Sequence, residues 1–409
     1  MKIIYLHQYF STPKVSGGTR SYDLAKKYIE QGHEVEFITS SIGFKETFEK
    51  KWTFLEIENI TFHVLNTPSA DNAAPYIKRI IVFLQFLWSA SFKILKLKGD
   101  IVISTSTPLT IGIPALIKKW IHKTPYIFEV RDVWPEAVIA IGAIKNKIAQ
   151  HFLYLLEAKI YNNASAIVPL SIDMKNSITT RFPHLRCPII TIENISELTR
   201  FKEGYHTDIS VIKENIGFVP RFSILYAGTF GKVNGLSYVI NIAEKIIQKD
   251  PSIVFILLGR GSEKEALIKK ATEKNVLNKN VFILKSVPKS SLPQWYYECQ
   301  MGSSFVIPIK ELWANSANKF FDSLAAGRPV LINHKGWQEE VLTKKESGYI
   351  LPYNLEDIND TNIDKFIAFT NNKEYQHHQK ENAIKLAELF SLQNASSKYL
   401  SILQNIKLT

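Results

Sequence analysis

Three segments in the sequence stand where a helix opens, two of them glycine-bearing turns after an apolar strand, and each has residue types able to receive an anion. Gly17-Gly18 follow the apolar run 2–10 and precede helical spacing over 21–31. Glycines there let backbone N–H groups approach a phosphate, and the helix N-terminus behind them favours negative charge. A plain tight turn explains the pair equally well, and the absence of G-x-G-x-x-G argues against a dinucleotide dehydrogenase. Gly228-Thr229-Phe230-Gly231-Lys232 ends a second strand, 222–230, with small residues and a lysine before a helix, which suits a diphosphate. The alternative is a surface loop with a solvated lysine. In the third segment, Asn318-Lys319 open a helix over 318–326 that Gly327 stops. Its first amides can meet phosphate oxygens and Asp322, one turn on, can accept from hydroxyls; an ordinary capped helix fits the same letters. Asp132, just past the strand 126–130, lies where a parallel sheet gathers its sites. An N-cap or a pair with Arg131 is the alternative, and Glu129 and Glu136 are rival carboxylates. His7 either points into a cleft or is a satisfied core histidine.

Hydrophobic patterning supplies the scaffold for these segments. The run 2–10, the helix 21–31 stopped by Gly32 and the strand 35–39 make a right-handed βαβ unit and imply a parallel sheet. Strands at 100–104, 126–129 and 166–169 extend it, with a helix from 147 to 160, and this half closes near 190–192. Residues 194–208 are polar and aperiodic and read as a linker. A second series has strands at 222–230, 253–258 (ending on Gly259-Arg260-Gly261), 281–284, 303–307 and 329–332, with helices at 236–249 and 318–326. A last helical stretch, 383–406, has no strand after it and must cover another surface. The expected fold is therefore α/β: Rossmann-like doubly wound domains at 1–193 and 209–385, a linker at 194–208, and a C-terminal helix at 386–409 packing toward the first domain.

A length of 409 residues suits two domains of about 200. Hydrophobic residues at 45% and charged residues at 22% are the balance of a globular chain. The two cysteines, Cys187 and Cys299, are too few for a cysteine metal site, and their separation fits a reducing cytosol. The opening apolar run meets His7-Gln8 too soon for a signal peptide. The net charge of +12 points to an anionic membrane, a phosphate-bearing substrate or nucleic acid. No basic block or nucleic-acid motif is present, so nucleic acid is the weakest of the three. Residues 80–92 are apolar, between Lys78-Arg79 and Lys93, Lys96 and Lys98. As a helix they span about 20 Å, too short to cross a bilayer, so they cover the sheet or also touch lipid headgroups.

The strand-Gly-Gly-helix opening, the Gly228–Lys232 loop, Gly259-Arg260-Gly261 and the run from Phe321-Asp322 to Pro329-Val330 together resemble the family 4 retaining glycosyltransferases, in order and over nearly the whole chain. His7-Gln8-Tyr9-Phe10, Gly17-Gly18-Thr19-Arg20 and Asp132-Val133-Trp134-Pro135-Glu136 are similar to the branch containing bacterial L-fucosamine transferases of surface-polysaccharide synthesis. The resemblance implies the GT-B fold, in which two Rossmann-like domains face each other and the C-terminal one holds most of the nucleotide-sugar donor. It also implies retention at the anomeric carbon and no required metal or other cofactor. Carried over by position, Gly18 lies against the diphosphate, Asp322 holds the donor ribose and the backbone of Ser286-Val287 meets the base. The expected donor set is Gly17, Gly18, Gly228, Thr229, Lys232, Gly259, Arg260, Ser286, Val287, Asn318, Lys319 and Asp322, with Asp132 and Lys232 as catalytic candidates.

The chain departs from the family pattern in its charges. Of the family's two acids, separated by seven residues, the later falls on Asp322 but the earlier falls on Ala314. The usual Arg and Lys on the diphosphate fall on Thr229 and Asn234, so Lys232 and Lys319 are the expected replacements. With the amides after Asn318 they stabilise the leaving diphosphate. A path in which the leaving phosphate oxygen takes the acceptor's proton needs no carboxylate at 314, and Asp132 can orient the acceptor hydroxyl or the donor sugar. The branch implies a UDP-linked amino sugar, N-acetyl-L-fucosamine or a relative, moved to a polyprenyl-diphosphate-linked saccharide. The expected location is cytoplasmic and peripheral on the inner face of the cytoplasmic membrane, with anionic lipid against 80–92 and Lys118-Lys119-Trp120-Ile121-His122-Lys123. A GT-B epimerase or phosphorylase, or a non-catalytic nucleotide-sugar binder, is the alternative.

Overall fold

Seven strands build the first sheet: β1 (Lys2–Leu6), β2 (Glu34–Ser40), β3 (Trp52–Ile57), β4 (Ile60–Leu65), β5 (Ile101–Thr105), β6 (Tyr126–Val130) and β7 (Ala166–Pro169). Their spatial order is β3-β4-β2-β1-β5-β6-β7. The computed structural model describes residues 1–44, 46–67, 76–206, 208 and 210–406, with backbone alone at 76–80. β5 and β6 are buried along their whole length, which is why they read as unbroken apolar runs. Helices Arg20–Glu30, Tyr76–Lys96, Gly112–His122 and Lys147–Asn163 make the parallel crossovers. One apolar cluster buries Phe86, Ala90, Ala115, Leu116, Ile160 and Tyr161 of the last three against Ile4, Val102 and Phe128 of the sheet.

The second sheet is wholly parallel, from β8 (Phe222–Thr229), β9 (Ile253–Arg260), β10 (Val281–Lys285), β11 (Met301–Ser304), β12 (Val330–Ile332) and β13 (Gly348–Ile350). Its order is β10-β9-β8-β11-β12-β13. The direction of winding reverses beside β1 in the first sheet and beside β8 in the second. Ligand crevices form at such switch points, outside the carboxyl ends of the strands.

The chain divides into two units, one comprising 1–193, 314–316 and the chain from Leu392, the other 194–313 and 317–391. This differs from the sequence expectation in three places. Residues 194–206 are not a free linker. Ser196 bridges Ser391, and the helix Leu198–Glu203 sets Phe201, fully buried, beside Tyr296. A helix of six residues is too short to show a period, so the sequence hides it; Thr207 lies outside the described residues. The terminal helical stretch is two helices, Lys373–Leu389 in the second unit and Leu392–Asn405 in the first. The break falls at Phe390, whose ring packs on Phe321 and Trp337 at 5.2 and 6.1 Å while its carbonyl accepts from the Ser196 amide. The third difference is the β3–β4 hairpin, antiparallel and turning through Glu58 and Asn59 at φ 52° and 62°. The expected strands 2–10 and 303–307 are also displaced, to 2–6 and 301–304.

A buried ion pair holds the first unit. Glu129 of β6 accepts from Arg20 Nε at 2.9 Å, Thr105 Oγ1 at 2.6 Å and the Tyr399 hydroxyl. Arg20 also donates to the carbonyl oxygens of Ile192, at 2.9 Å, and Glu193. The pair thus ties the helices Arg20–Glu30 and Leu392–Asn405 to β5 and β6 of the sheet. Burial alone would raise the Glu129 pKa, but Arg20, Arg131 and its hydroxyl donors outweigh it and hold the carboxyl at about 2. A depressed carboxyl contributes its full stability above its unfolded value near 4.5 and loses it as pH falls toward 2. Urea unfolding should show ~3 kcal/mol of acid destabilisation from this group across that window. Glu129→Gln should lack that component and be less stable at neutral pH by about 3–5 kcal/mol. Identical pH profiles for the two proteins would refute the assignment.

Candidate functional site

The expected donor residues of the second unit gather at the carboxyl ends of β8, β9 and β10 and at the start of the helix Asn318–Ala325. Gly228 and Thr229 of β8 lie in register with Gly259 and Arg260 of β9. The chain then makes a tight turn over Lys232–Asn234 and leaves through Gly235 at φ 56°. The Thr229 carbonyl accepts from the Tyr226 hydroxyl at 2.8 Å and Asn234 Nδ2 at 3.0 Å. Asn234 offers its other end, Oδ1, to Lys319 Nζ at 3.2 Å. The residue standing where the family has a lysine therefore positions a different lysine.

Lys319 is buried, and its ammonium lies 5.1 Å from the centre of the Tyr226 ring. Burial lowers its pKa to about 8 against the raising effect of Asp322. Lys232 and Arg260 are exposed and form no ion pair or side-chain hydrogen bond among the described residues. The helix Asn318–Ala325 starts after Ala317, which gives it no side-chain cap. Within its first turn the Phe320 amide donates to the Ala317 carbonyl at 3.1 Å, and a helix N-terminus without a side-chain cap favours an anion. Asn318 is held from outside by Asn194 Nδ2, 2.9 Å from its Oδ1.

Asp322 is buried and forms an ion pair with Lys289, also buried. Lys289 is absent from the sequence-based set. It follows the half-buried Ser286-Val287 on the loop after β10, so the pair ties the expected base-binding loop to the expected ribose-binding helix. Nothing in composition marks one lysine among 50 basic residues as buried; its place past a strand end was the only signal. His334, past the end of β12, was missed as well. It is buried, and burial lowers its pKa to about 4, with the Lys319 charge acting in the same direction. Gly259 and Gly261 have a packing role: a Cβ on either would come within 2.0 Å of the Gly228 carbonyl oxygen or 2.3 Å of that of Phe230.

The remaining candidates lie in the first unit. Gly17 has φ 147°, and Gly18 precedes Thr19, whose hydroxyl bonds Asp23 at 2.6 Å and does not cap the helix Arg20–Glu30. His7 is a satisfied core histidine, with Nδ1 2.7 Å from Ser21 Oγ and Nε2 3.4 Å from Arg131 Nη1. Burial and Arg131 lower its pKa to about 3, against Glu129. Among the three rival carboxylates Glu129 is committed to Arg20, and Glu136 to Arg181 and Ser177 at 3.2 and 2.7 Å. Asp132 is exposed and accepts from Thr107 Oγ1 at 2.8 Å, and it neither caps a helix nor pairs with Arg131. Ala314 packs on Val133, Leu170 and Met174, and its carbonyl accepts from Ser171 Oγ at 2.7 Å. A carboxylate at 314 would meet apolar side chains there. Among the described residues no cluster of three His, Cys, Asp or Glu side chains is placed to hold a metal ion.

Two doubly wound α/β units, one with cations and uncapped helix amides at its switch point, are the GT-B architecture. Residues 17–186 match the glycosyl transferase 4-like domain and residues 221–364 the glycosyl transferases group 1 domain, and the chain belongs to the glycosyltransferases built from these two domains. It is 22% identical over 360 residues to the putative colanic acid biosynthesis glycosyl transferase WcaI of Escherichia coli (strain K12), covering 83% of this chain and 84% of that protein. It is 22% identical over 241 residues to spore coat protein SA of Bacillus subtilis (strain 168), covering 56% of this chain and 63% of that relative's length. Anabaena Alr3699/HepE, solved in complex with UDP and glucose, superposes with a TM-score of 0.69 at 15% identity over 99% of this chain and 100% of that one, which shows the shared fold.

Lys289→Met removes this ion-pair partner from the buried Asp322 carboxylate and should lower stability by about 3–5 kcal/mol in urea unfolding. Adding Asp322→Leu should recover most of that loss, because an apolar pair no longer strands a charge. Strictly additive effects would mean that the two side chains do not act as a pair.

Proposed function

We propose that the chain is a retaining glycosyltransferase that needs no metal ion and takes its sugar from a UDP-linked donor. The acceptor is a saccharide on a polyprenyl diphosphate, and the product serves surface-polysaccharide synthesis. The carrying observation is the cation set around Asn234: among the described residues, Lys319 is buried with an amide oxygen as its hydrogen-bond acceptor, and Lys232 and Arg260 are exposed and form no ion pair. A diphosphate is the ligand whose charge such a set compensates. The solved relative bound to UDP and glucose supports the choice of base, and the resemblance to the L-fucosamine transferase branch supports an amino sugar such as N-acetyl-L-fucosamine.

In this reading the diphosphate lies against Gly228, Thr229, Lys232, Lys319 and the start of the helix that Asn318 opens. The base faces Ser286-Val287, and the ribose faces the Asp322–Lys289 pair. The bond from the anomeric carbon to the donor phosphate oxygen breaks while the acceptor hydroxyl oxygen attacks the same face of the sugar. The acceptor's proton passes to the departing phosphate oxygen, so no acid is required at Ala314. Lys232 and Lys319 stabilise the charge that collects on that phosphate, and Asp132 orients the acceptor hydroxyl. A lipid-linked acceptor places the protein on the cytoplasmic face of the membrane.

The test is a mass-spectrometric screen of nucleotide sugars with a polyprenyl-diphosphate saccharide, run with and without chelator. Acceptor-dependent turnover that persists with chelator is expected; turnover without any acceptor would favour an epimerase. Lys232→Ala should lower kcat by about 10²–10³-fold with a small change in KM, and unchanged kcat would remove Lys232 from the chemistry. UDP affinity measured by calorimetry should fall as pH rises through about 8, because Lys319 loses its proton there. Lys319→Arg stays charged and should flatten that profile.

A further inference from the structure

We infer that the outer faces of three neighbouring helices of the first unit, Tyr76–Lys96, Gly112–His122 and Lys147–Asn163, form one docking surface for an anionic lipid bilayer, with Ile148, Phe152 and Leu155 entering the headgroup layer. The inference rests on the reading above only for its biological purpose; the surface itself follows from exposure and charge.

The inner faces of the three helices share one apolar core, and the 112–122 helix packs against the other two. Their outer faces are therefore on one side of the sheet. Trp88 and Phe92, one helical turn apart, stack on each other at 6.3 Å and are 65% and 63% exposed. Ile148 and Phe152 are 68% and 64% exposed, and with Leu155 they follow the i, i+4, i+7 spacing of a single stripe. Trp120 lies between these stripes in the layer, exposed, with Lys159 Nζ 5.4 Å from its ring. Large apolar side chains concentrated in this way on one layer mark an interaction surface.

Charge selects the partner. The chain has 38 acidic residues, yet the helices 76–96 and 112–122 contain none. The single acid of the third, Glu157, is turned inward and paired with Arg181. Lys96, Lys119, Lys147 and Lys159 remain on or beside the outer faces. Lys118, expected from sequence to meet lipid, instead turns inward and donates to the Leu97 carbonyl at 2.7 Å, and the side chains of Lys78, Arg79 and Ile80 lie outside the described residues. Aromatic rings and lysines without acids suit the boundary between headgroups and acyl chains. A second copy would set one cationic face against another. Among the described residues no helix is long and apolar enough to cross a membrane, so the surface lies on the bilayer.

Flotation with vesicles of phosphatidylcholine and phosphatidylglycerol in equal parts, against phosphatidylcholine alone, tests this. The wild type should float with the anionic vesicles and be released by salt. Ile148→Ser/Phe152→Ser and Trp88→Ser/Phe92→Ser should each reduce partitioning by about tenfold, with unchanged thermal melts because all four side chains are exposed. A wild type that stays with neither vesicle, or variants that float like it, would overturn the inference. So would a dimer in light scattering that the same substitutions dissociate, which would assign the face to a second copy. A UDP thermal shift on the same samples separates the two readings: its absence sinks the donor site and leaves the lipid surface standing, and the converse result does the reverse.

Discussion

A parallel sheet cannot be covered where its winding reverses, and the candidate site depends on that constraint. In the second unit β8 has β9 on one side and β11 on the other, so the crossovers leave in opposite directions and the loops after β8 and β11 flank an open crevice. The Ile307 amide donates to the Val233 carbonyl at 3.0 Å and fixes one loop to the other. Gly228, Asn234 and Lys319 are placed by that arrangement, since β11 leads to the helix that Asn318 opens. The first unit repeats the geometry with β1 between β2 and β5. There the crevice holds Gly17-Gly18, while His7 is consumed by the core.

Electrostatics divides two lysines of similar burial. Lys289 has Asp322 as a direct partner, so its charge is compensated within the protein. Among the described residues Lys319 donates to the amide oxygen of Asn234 and faces the Tyr226 ring, and burial lowers its pKa to about 8 against the raising effect of Asp322. Neutral acceptors leave most of a buried ammonium's field uncompensated, which costs stability in the empty protein. In the proposed donor site a diphosphate would remove that cost, so the gain on binding would be larger than an exposed lysine would provide. Asn234 suits this role better than a carboxylate would, because a carboxylate would neutralise Lys319 and repel the ligand.

The central strands and their crossover helices were legible because burial on both faces writes continuous apolar runs; β7 was read to the residue. What stayed hidden lacked a period or depended on a distant partner. The β3–β4 hairpin turns on Glu58-Asn59, which is not among the glycine-bearing pairs that signal tight hairpins. Phe201 sits in a six-residue helix within a polar stretch, and its burial is decided by Tyr296, far along the chain. The strand-end turns that carry Gly228, Thr229, Gly259 and Arg260 were legible as motifs. Lys289 and His334 were not, because a buried lysine and a buried histidine have the same letters as exposed ones. Lys118 misled for the same reason in the opposite sense.

Engagement with neighbours also ranks the acids of the first unit. A carboxylate that accepts from Arg20, Thr105 and Tyr399 and is held at about 2 has no affinity left for an acceptor's proton, so Glu129 serves the fold. Glu136 is fixed by Arg181 and Ser177. Asp132 remains exposed with a single hydroxyl donor and can reorient toward a substrate. The Glu129 network reaches the crevice by another route. Arg20 is the first residue of the helix that follows Gly17-Gly18, and Tyr399 brings the C-terminal helix onto the same carboxylate. Loss of that one buried charge would loosen the start of the helix and the C-terminal helix together.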